Sequence, residues 1–163
     1  MKYLYKRSLV NTSNLSDADI EVKVFQPTLI KKLTLEGEKS FKNTVVRFLF
    51  QLMTRGRARV YYVMIKGELA HTTYVVPKCF KFPFLKKCDY EIGPCYTYPK
   101  YRGKGIYPLV LQFVCKHLQN EKSDFYMIVD ENNLSSIRGI EKAGFEKCGL
   151  VKVTKFLKRY KIV

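Results

Sequence analysis

The sequence predicts an α+β domain, a three-layer arrangement with helices packed on a central mixed sheet. Three observations predict it. Strand-period and helix-period apolar patterns alternate along the chain. A turn with two glycines, Gly103 and Gly105, joins a strand to a helix. A short continuous apolar run, Phe125–Val129, has helical patterns on both sides, as a strand covered on both faces would.

The elements follow in order. Asp19–Phe25 alternates Ile20, Val22 and Val24 with polar residues, the period of a half-buried strand. Leu29, Ile30 and Leu33 suggest a short helix closing near Gly37. Ser40 can cap a longer one, in which Phe41, Val45, Phe48, Leu49 and Leu52 recur at helical spacing and Gly56 stands just past the end. Val60–Ile65 and Leu69–Val76 flank Lys66-Gly67 and predict a hairpin. Residues 77–88, with Pro77 and Pro83, read as a connecting loop. Asp89–Tyr98 reads as a strand, and Gly93-Pro94 predicts a bulge or an open side, because proline cannot donate to a ladder. Gly105–Leu118 is a helix with Leu109, Val110, Phe113 and Val114 turned inward and Pro108 in its first turn. Asn133 caps a last helix ending at Gly144, and strand-like sequence resumes at Phe145, where Val151 and Val153 alternate.

Composition bounds the function. With 163 residues, 47% of them apolar and 27% charged, the chain can bury one core and does not read as disordered. The expected organisation is one domain over 1–163: an N-terminal strand and helices to residue 57, a core over 58–150 and a C-terminal strand over 151–163. No apolar run reaches the roughly 18 residues that span a bilayer. The start Met1–Arg7 lacks a signal-peptide pattern, so no membrane and a cytoplasmic location are expected. The five cysteines are odd in number and none are paired at zinc-ligand spacing, so they read as reduced thiols and no metal is expected. Cys115 and His117, two apart on a helix, point to different faces and do not make a thiol–imidazole pair. The net charge of +16 is spread over both halves and favours anionic partners.

The chemistry concentrates in Thr97-Tyr98-Pro99-Lys100-Tyr101-Arg102-Gly103-Lys104-Gly105-Ile106-Tyr107-Pro108. A helix start presents unpaired N–H groups, glycines let a phosphate approach the backbone, and Arg102 and Lys104 add full charges. It is not a P-loop, since no Gly-x-x-x-x-Gly-Lys-Ser/Thr is present. The dinucleotide fingerprint fails because residue 108 is proline. This stretch, with Pro99, Arg102 and Gly105, resembles the acetyl-CoA signature of the GNAT superfamily of N-acetyltransferases. Asn133 through Gly144-Phe145 resembles that family's second signature, an Asn-started helix ending in Gly-Phe. The likeness is good over about residues 60–150 and reaches the first 57 only in element order.

The resemblance implies a mostly antiparallel sheet of about six or seven strands containing one splayed parallel pair. It makes 58–150 an acetyl-CoA-binding core. It places the coenzyme A diphosphate on backbone amides of Arg102, Gly103, Lys104, Gly105, Ile106 and Tyr107. It pairs the pantetheine arm with Tyr96, Thr97 and Tyr98, brings Asn133 and Ser136 to the cofactor, and supplies an oxyanion donor from a backbone N–H near Thr97. Two departures stand out: Tyr107 replaces a small residue, and Ile140 occupies the place of a tyrosine that protonates the leaving thiolate.

Acetyl transfer needs a deprotonated amine, a polarised thioester carbonyl and a stabilised thiolate. Glu91, eleven residues before Arg102, is the first candidate base; burial among Tyr90, Ile92 and Tyr96 would raise its pKa. Its plain alternative is a surface glutamate or a partner for Lys86. His71 is the second candidate, with a structural hydrogen-bonder as its alternative. Tyr96, Tyr98 and Tyr107 are candidate acids. The expected activity is direct transfer, with general-base assistance, from acetyl-CoA to a primary amine of a small acceptor such as an amino sugar, anionic ones such as a nucleotide-linked amino sugar included, by a monomer or homodimer. Two alternatives are a catalytically silent coenzyme-A-binding relative and a basic nucleic-acid module built on Arg55-Gly56-Arg57-Ala58-Arg59-Val60-Tyr61-Tyr62. Nucleic acid is the disfavoured partner, because no helix-turn-helix, zinc or RNA-recognition signature is present.

Overall fold

The computed structural model describes residues 1–8, 20–26, 52–119, 122–155 and 158–163. The helix expected near 29–37 and most of that expected over 40–52 lie outside these residues. Residues 52–54 are helical, and Arg55 and Gly56 then take left-handed φ of 51° and 67°. The strands are β1 (Lys2–Arg7), β2 (Val22–Phe25), β3 (Arg59–Ile65), β4 (Glu68–Pro77), β5 (Tyr90–Thr97), β6 (Phe125–Asp130), β7 (Glu146–Val153) and β8 (Tyr160–Ile162). The helices are α1 (Ile106–Leu118) and α2 (Leu134–Lys142), with a 3-10 turn at Pro99–Tyr101. Among the described residues no helix is long and apolar enough to cross a membrane.

One eight-stranded sheet has the order β2-β3-β4-β5-β6-β1-β7-β8, and every neighbouring pair is antiparallel except β5 and β6. The mixed, mostly antiparallel sheet with one parallel pair is thus as expected, with one or two more strands. The additions are β1, which the sequence did not reveal, and a break that splits the C-terminal strand into β7 and β8.

The hairpin at Lys66-Gly67 takes φ of 52° and 80°, positive at both central positions. That is the backbone whose twist matches two antiparallel strands. The helix α1 sits rotated from expectation. Ile106, Val110, Leu111, Val114 and Cys115 are buried, whereas Leu109 and Phe113 are only half-buried. Val24 is 40% exposed because β2 is an edge strand within the described sheet. Val153 is likewise exposed, while Val151 is buried.

Two cores cover the two faces. On the helix side, Tyr61, Val63, Val75 and Ile92 pack with Val110, Val114, Phe125, Met127 and Ile140. On the other side, residues 77–88 are more than a connection: Val76, Cys79, Phe82 and Leu85 form a small core with Phe84, Tyr126, Ile128 and Tyr160. The five cysteines are free as expected, though Cys148 is exposed rather than near the core. In the basic stretch, Tyr61 is wholly buried and its hydroxyl is 2.8 Å from His117 Nδ1, so it cannot stack on a base.

The strand β1 lies between β6 and β7, and Leu4 in it is 2% exposed. Leu4→Ala is expected to cost about 2–5 kcal/mol. The check is a lower urea midpoint with an unchanged m value.

Candidate active site

The parallel strands β5 and β6 are in register only at Tyr90 with Phe125 and Glu91 with Tyr126. Beyond that they part. β5 stays on β4 as far as Thr97, and β6 stays on β1 as far as Asp130. Each wall of the gap is held by its own half of the sheet. Gly93-Pro94 stands just past the parting, and the β4–β5 register shifts between Thr73 and Val75, the irregularity its proline predicted.

At the open end of the gap the chain turns from β5 into α1. Gly103 and Gly105 take φ of 75° and 73°, and Gly105 is the residue before the first helical turn. A side chain at either would be strained there. No side chain caps α1, which leaves its first amides without intrahelical partners. The turn is anchored from several directions. Tyr98 N donates to Ala70 O at 3.0 Å and Tyr101 Oη to Glu68 Oε2 at 3.0 Å, while Lys100 pairs with Glu68. Arg102 Nε donates to Thr97 O at 3.0 Å, with the guanidinium 5.8 Å from the Tyr96 ring.

A cleft of about 580 Å³ opens over this turn. Tyr96, Thr97, Arg102, Gly103, Lys104, Gly105, Ile106, Tyr107, Asn133 and Ser136 line it, all of them expected at the cofactor. Tyr98 does not, since its amide is used on β4. Strand backbone groups alternate sides, so the amides of Cys95 and Thr97 face the gap. Cys95, Arg138, Gly139 and Lys142 also line the cleft and were not anticipated. The signal for Arg138 and Lys142 was present: they stand four apart on the Asn-capped helix and so share a face. With Arg102 and Lys104 they put four cations on the lining, which includes no acidic residue. The residues therefore fit a polyanionic, extended ligand such as coenzyme A. Asn133 Oδ1 is committed to the helix, accepting from Ser136 N at 3.2 Å and Ser135 Oγ at 3.1 Å.

Tyr107 explains itself through its neighbour. Its ring lies against α2 where residue 139 is glycine, and a Cβ there would fall within 2.7 Å of Tyr107 Cε1. The bulky residue at the helix start is thus matched by a missing side chain opposite. Its hydroxyl shares a hydrogen bond with the Cys95 thiol, and burial raises both pKa values, that of Cys95 to about 12. A thiol held that high is not a nucleophile at neutral pH.

The two candidate bases lie outside the lining of this cleft. His71 is fully buried, with Nδ1 2.7 Å from Thr97 Oγ1 and Nε2 2.6 Å from Thr73 Oγ1. Burial lowers its pKa to about 4, so it stays neutral above that pH. Glu91 is 6% exposed at the vertex of the gap. Its cross-strand neighbours Val76 and Tyr126 place it on the face away from α1, beneath residues 77–88. It is neither on the surface nor paired with Lys86 among the described residues. Burial raises its pKa to about 8, and Lys81 nearby opposes that rise. Tyr96, expected to help bury it, is 49% exposed. Ile140 is 1% exposed in the helix-side core, so no phenol stands at that position.

The site is thus a parallel strand pair that opens into a cleft, with a basic, uncapped helix start at its mouth. Residues 44–145, more than half of the chain, match the family model described as the acetyltransferase (GNAT) family, and the chain belongs to that family. Solved structures agree in fold. A GNAT-family acetyltransferase from Colwellia psychrerythraea is 17% identical with a TM-score of 0.59, covering 90% of this chain and 52% of its own. This chain therefore spans about half of that protein. The aminoglycoside acetyltransferase AAC(6')-Ib, in complex with coenzyme A and kanamycin, is 17% identical with a TM-score of 0.58, covering 83% of this chain and 89% of its own. A ribosomal-protein-alanine N-acetyltransferase from Brucella melitensis is 20% identical with a TM-score of 0.53, covering 76% and 81%. No curated protein sequence matches the chain.

Two outcomes follow from the geometry. Gly139→Ala should cost about 1–3 kcal/mol through overpacking, and Tyr107→Ala should remove most of that cost in a double-mutant cycle read by urea denaturation. For Glu91, a folded-state pKa above the unfolded one means stability present below pH 4.5 and lost as pH rises to about 8. Glu91→Gln should therefore gain stability over the parent across that window, on the order of a few kcal/mol at pH 8. His71, shifted the opposite way, is common to both proteins and cancels in the difference.

Proposed function

We propose that the chain is an acetyl-CoA-dependent N-acetyltransferase acting on a small primary amine. Anionic acceptors, such as a nucleotide-linked amino sugar, suit the net charge of +16. The observation that supports this best is the gap between β5 and β6, closed at Glu91 and opening onto a four-cation rim. Neighbours of the same fold whose descriptions name coenzyme A and an aminoglycoside support the cofactor and the size of the acceptor.

Acetyl-CoA in this cleft would supply the activated acetyl thioester. The chain's own parts then divide the work. The amides at the start of α1, with Arg102, Lys104, Arg138 and Lys142, hold the diphosphate. The gap-side amides of Cys95 and Thr97 orient the pantetheine arm as an added strand would. Strand β5 rises about 3.3 Å per residue, so Thr97 to Gly93 spans roughly 13 Å and delivers the arm's end beside the vertex. There Glu91, at the vertex of the gap, takes the proton of the acceptor amine. Tyr96 lies one residue from Thr97, at the diphosphate end of this path and roughly 10 Å from Gly93, so it is not the donor to the departing thiolate. Tyr107, bonded to Cys95, stands nearer that end but is a weak donor, since burial raises its pKa, and water supplies the proton.

One observation favours the silent-relative reading: the Tyr107 ring occupies part of the cleft against Gly139. Acetyl-CoA binding without turnover on any amine would select it. Calorimetric titration with acetyl-CoA is expected to give micromolar affinity, and no heat at high micromolar ligand would remove both readings. With an acceptor in hand, kcat/KM should rise with pH around an inflection near 8, as Glu91 loses its proton. Glu91→Gln should lower kcat by about 10²-fold or more and flatten that profile.

A further inference from the structure

We infer that His71 is a positioning residue for the phosphate-binding turn, acting through Thr97 on Arg102. The inference rests on the cofactor reading above and gives His71 a role other than base.

Both ring nitrogens of His71 are occupied, one by Thr97 Oγ1 at 2.7 Å and the other by Thr73 Oγ1 at 2.6 Å. A neutral imidazole has one donor and one acceptor, so these two bonds use its whole capacity. It has nothing left to offer a substrate. What it does hold is the last residue of β5. Thr97 is directly opposite His71 in the ladder and is where the strand ends. The same residue's carbonyl accepts Arg102 Nε at 3.0 Å, folding the arginine back over the turn.

The consequence runs in one direction along the chain. Thr73 and His71 belong to β4, which is paired on both sides and does not move easily. Thr97 is the hinge point between that rigid strand and the turn at 98–105. Fixing its side chain fixes the peptide whose oxygen sets Arg102. The imidazole also lies 5.8 Å from the Tyr107 ring, so the first turn of α1 rests on the same support. One buried ring thus underlies both sides of the phosphate cradle. Both nitrogens end on threonine hydroxyls and His71 is not on the cleft lining, which is the arrangement of a support.

Amide side chains separate the two bonds. Asparagine can replace the Nδ1 contact to Thr97, and glutamine the Nε2 contact to Thr73. Coenzyme A itself is the probe, titrated calorimetrically into the full chain alongside melting temperatures. His71→Gln and Thr97→Val should each weaken coenzyme A about tenfold, the worth of one well-placed hydrogen bond. His71→Asn and Thr73→Val should stay within about twofold of the parent, although all four lose a buried bond and melt earlier. Equal affinity losses for His71→Asn and His71→Gln, or none for Thr97→Val, would overturn the inference and leave a packing role. A parent protein that binds no coenzyme A would overturn the cofactor reading instead, and this one with it.

Discussion

Everything in this fold is arranged around two strands that begin as partners and are not allowed to remain so. Backbone N–H and C=O groups in a sheet interior need partners, and a parallel pair that stops after two register positions leaves a row of them unmet. The gap cannot close by simple sliding, because β5 is fixed on β4 at both of its ends and β6 on β1 over its full length. Pro94, without an N–H, removes one claim on the ladder at the point of divergence. The sheet therefore behaves as two halves, β2-β3-β4-β5 and β6-β1-β7-β8, joined at a vertex. An extended polar ligand is the natural occupant, since it satisfies the row as a strand would.

The mouth of the gap answers to a second constraint, the packing of α1 against α2. A helix start serves an anion only if its amides stay free and the backbone can be approached. Gly103 and Gly105 provide that through positive φ. Tyr107, two residues past Gly105, works against close approach, and the conflict is resolved on the other helix by Gly139. The pair behaves as a single unit of volume. That is why a glycine in the middle of a helix, ordinarily worth about 1 kcal/mol less than alanine, is tolerable here.

What the sequence disclosed and what it hid follow from the kind of signal each element carries. Lys66-Gly67, Gly105 and Asn133 are local signals, set by φ or by a single cap, and each lies where its chemistry predicted. The strand Lys2–Arg7 is not local. From the sequence, Met1–Arg7 shows only that it lacks a signal-peptide pattern. In the fold, Lys6 reaches Asp124 at 3.0 Å and Arg7 donates to the Ala143 carbonyl, while Leu4 and Tyr5 fill the centre of the sheet. Such a strand is defined by partners more than a hundred residues away, which periodicity cannot see. The glycine turn at 98–105 was legible because it is one contiguous motif. Arg138, Lys142 and Cys95 were harder, because their part in the cleft depends on where α2 and β5 lie against that turn.

Glu91 and His71 were the first and second candidate bases, and hydrogen-bond accounting separates them. A buried polar group is tolerated when its bonds are made. His71 makes both of its bonds inside the protein, so its burial is explained without any ligand. Glu91 is as deeply buried, yet among the described residues no hydrogen-bond donor to its carboxylate accompanies it, and its pKa rises to about 8 in response. A group in that state is a costly ornament in a structural role. A pKa that close to neutral pH suits proton exchange with an amine. The same burial leaves His71 with both bonds made and Glu91 with none among the described residues, and the difference is how many donors and acceptors the neighbouring strands supply.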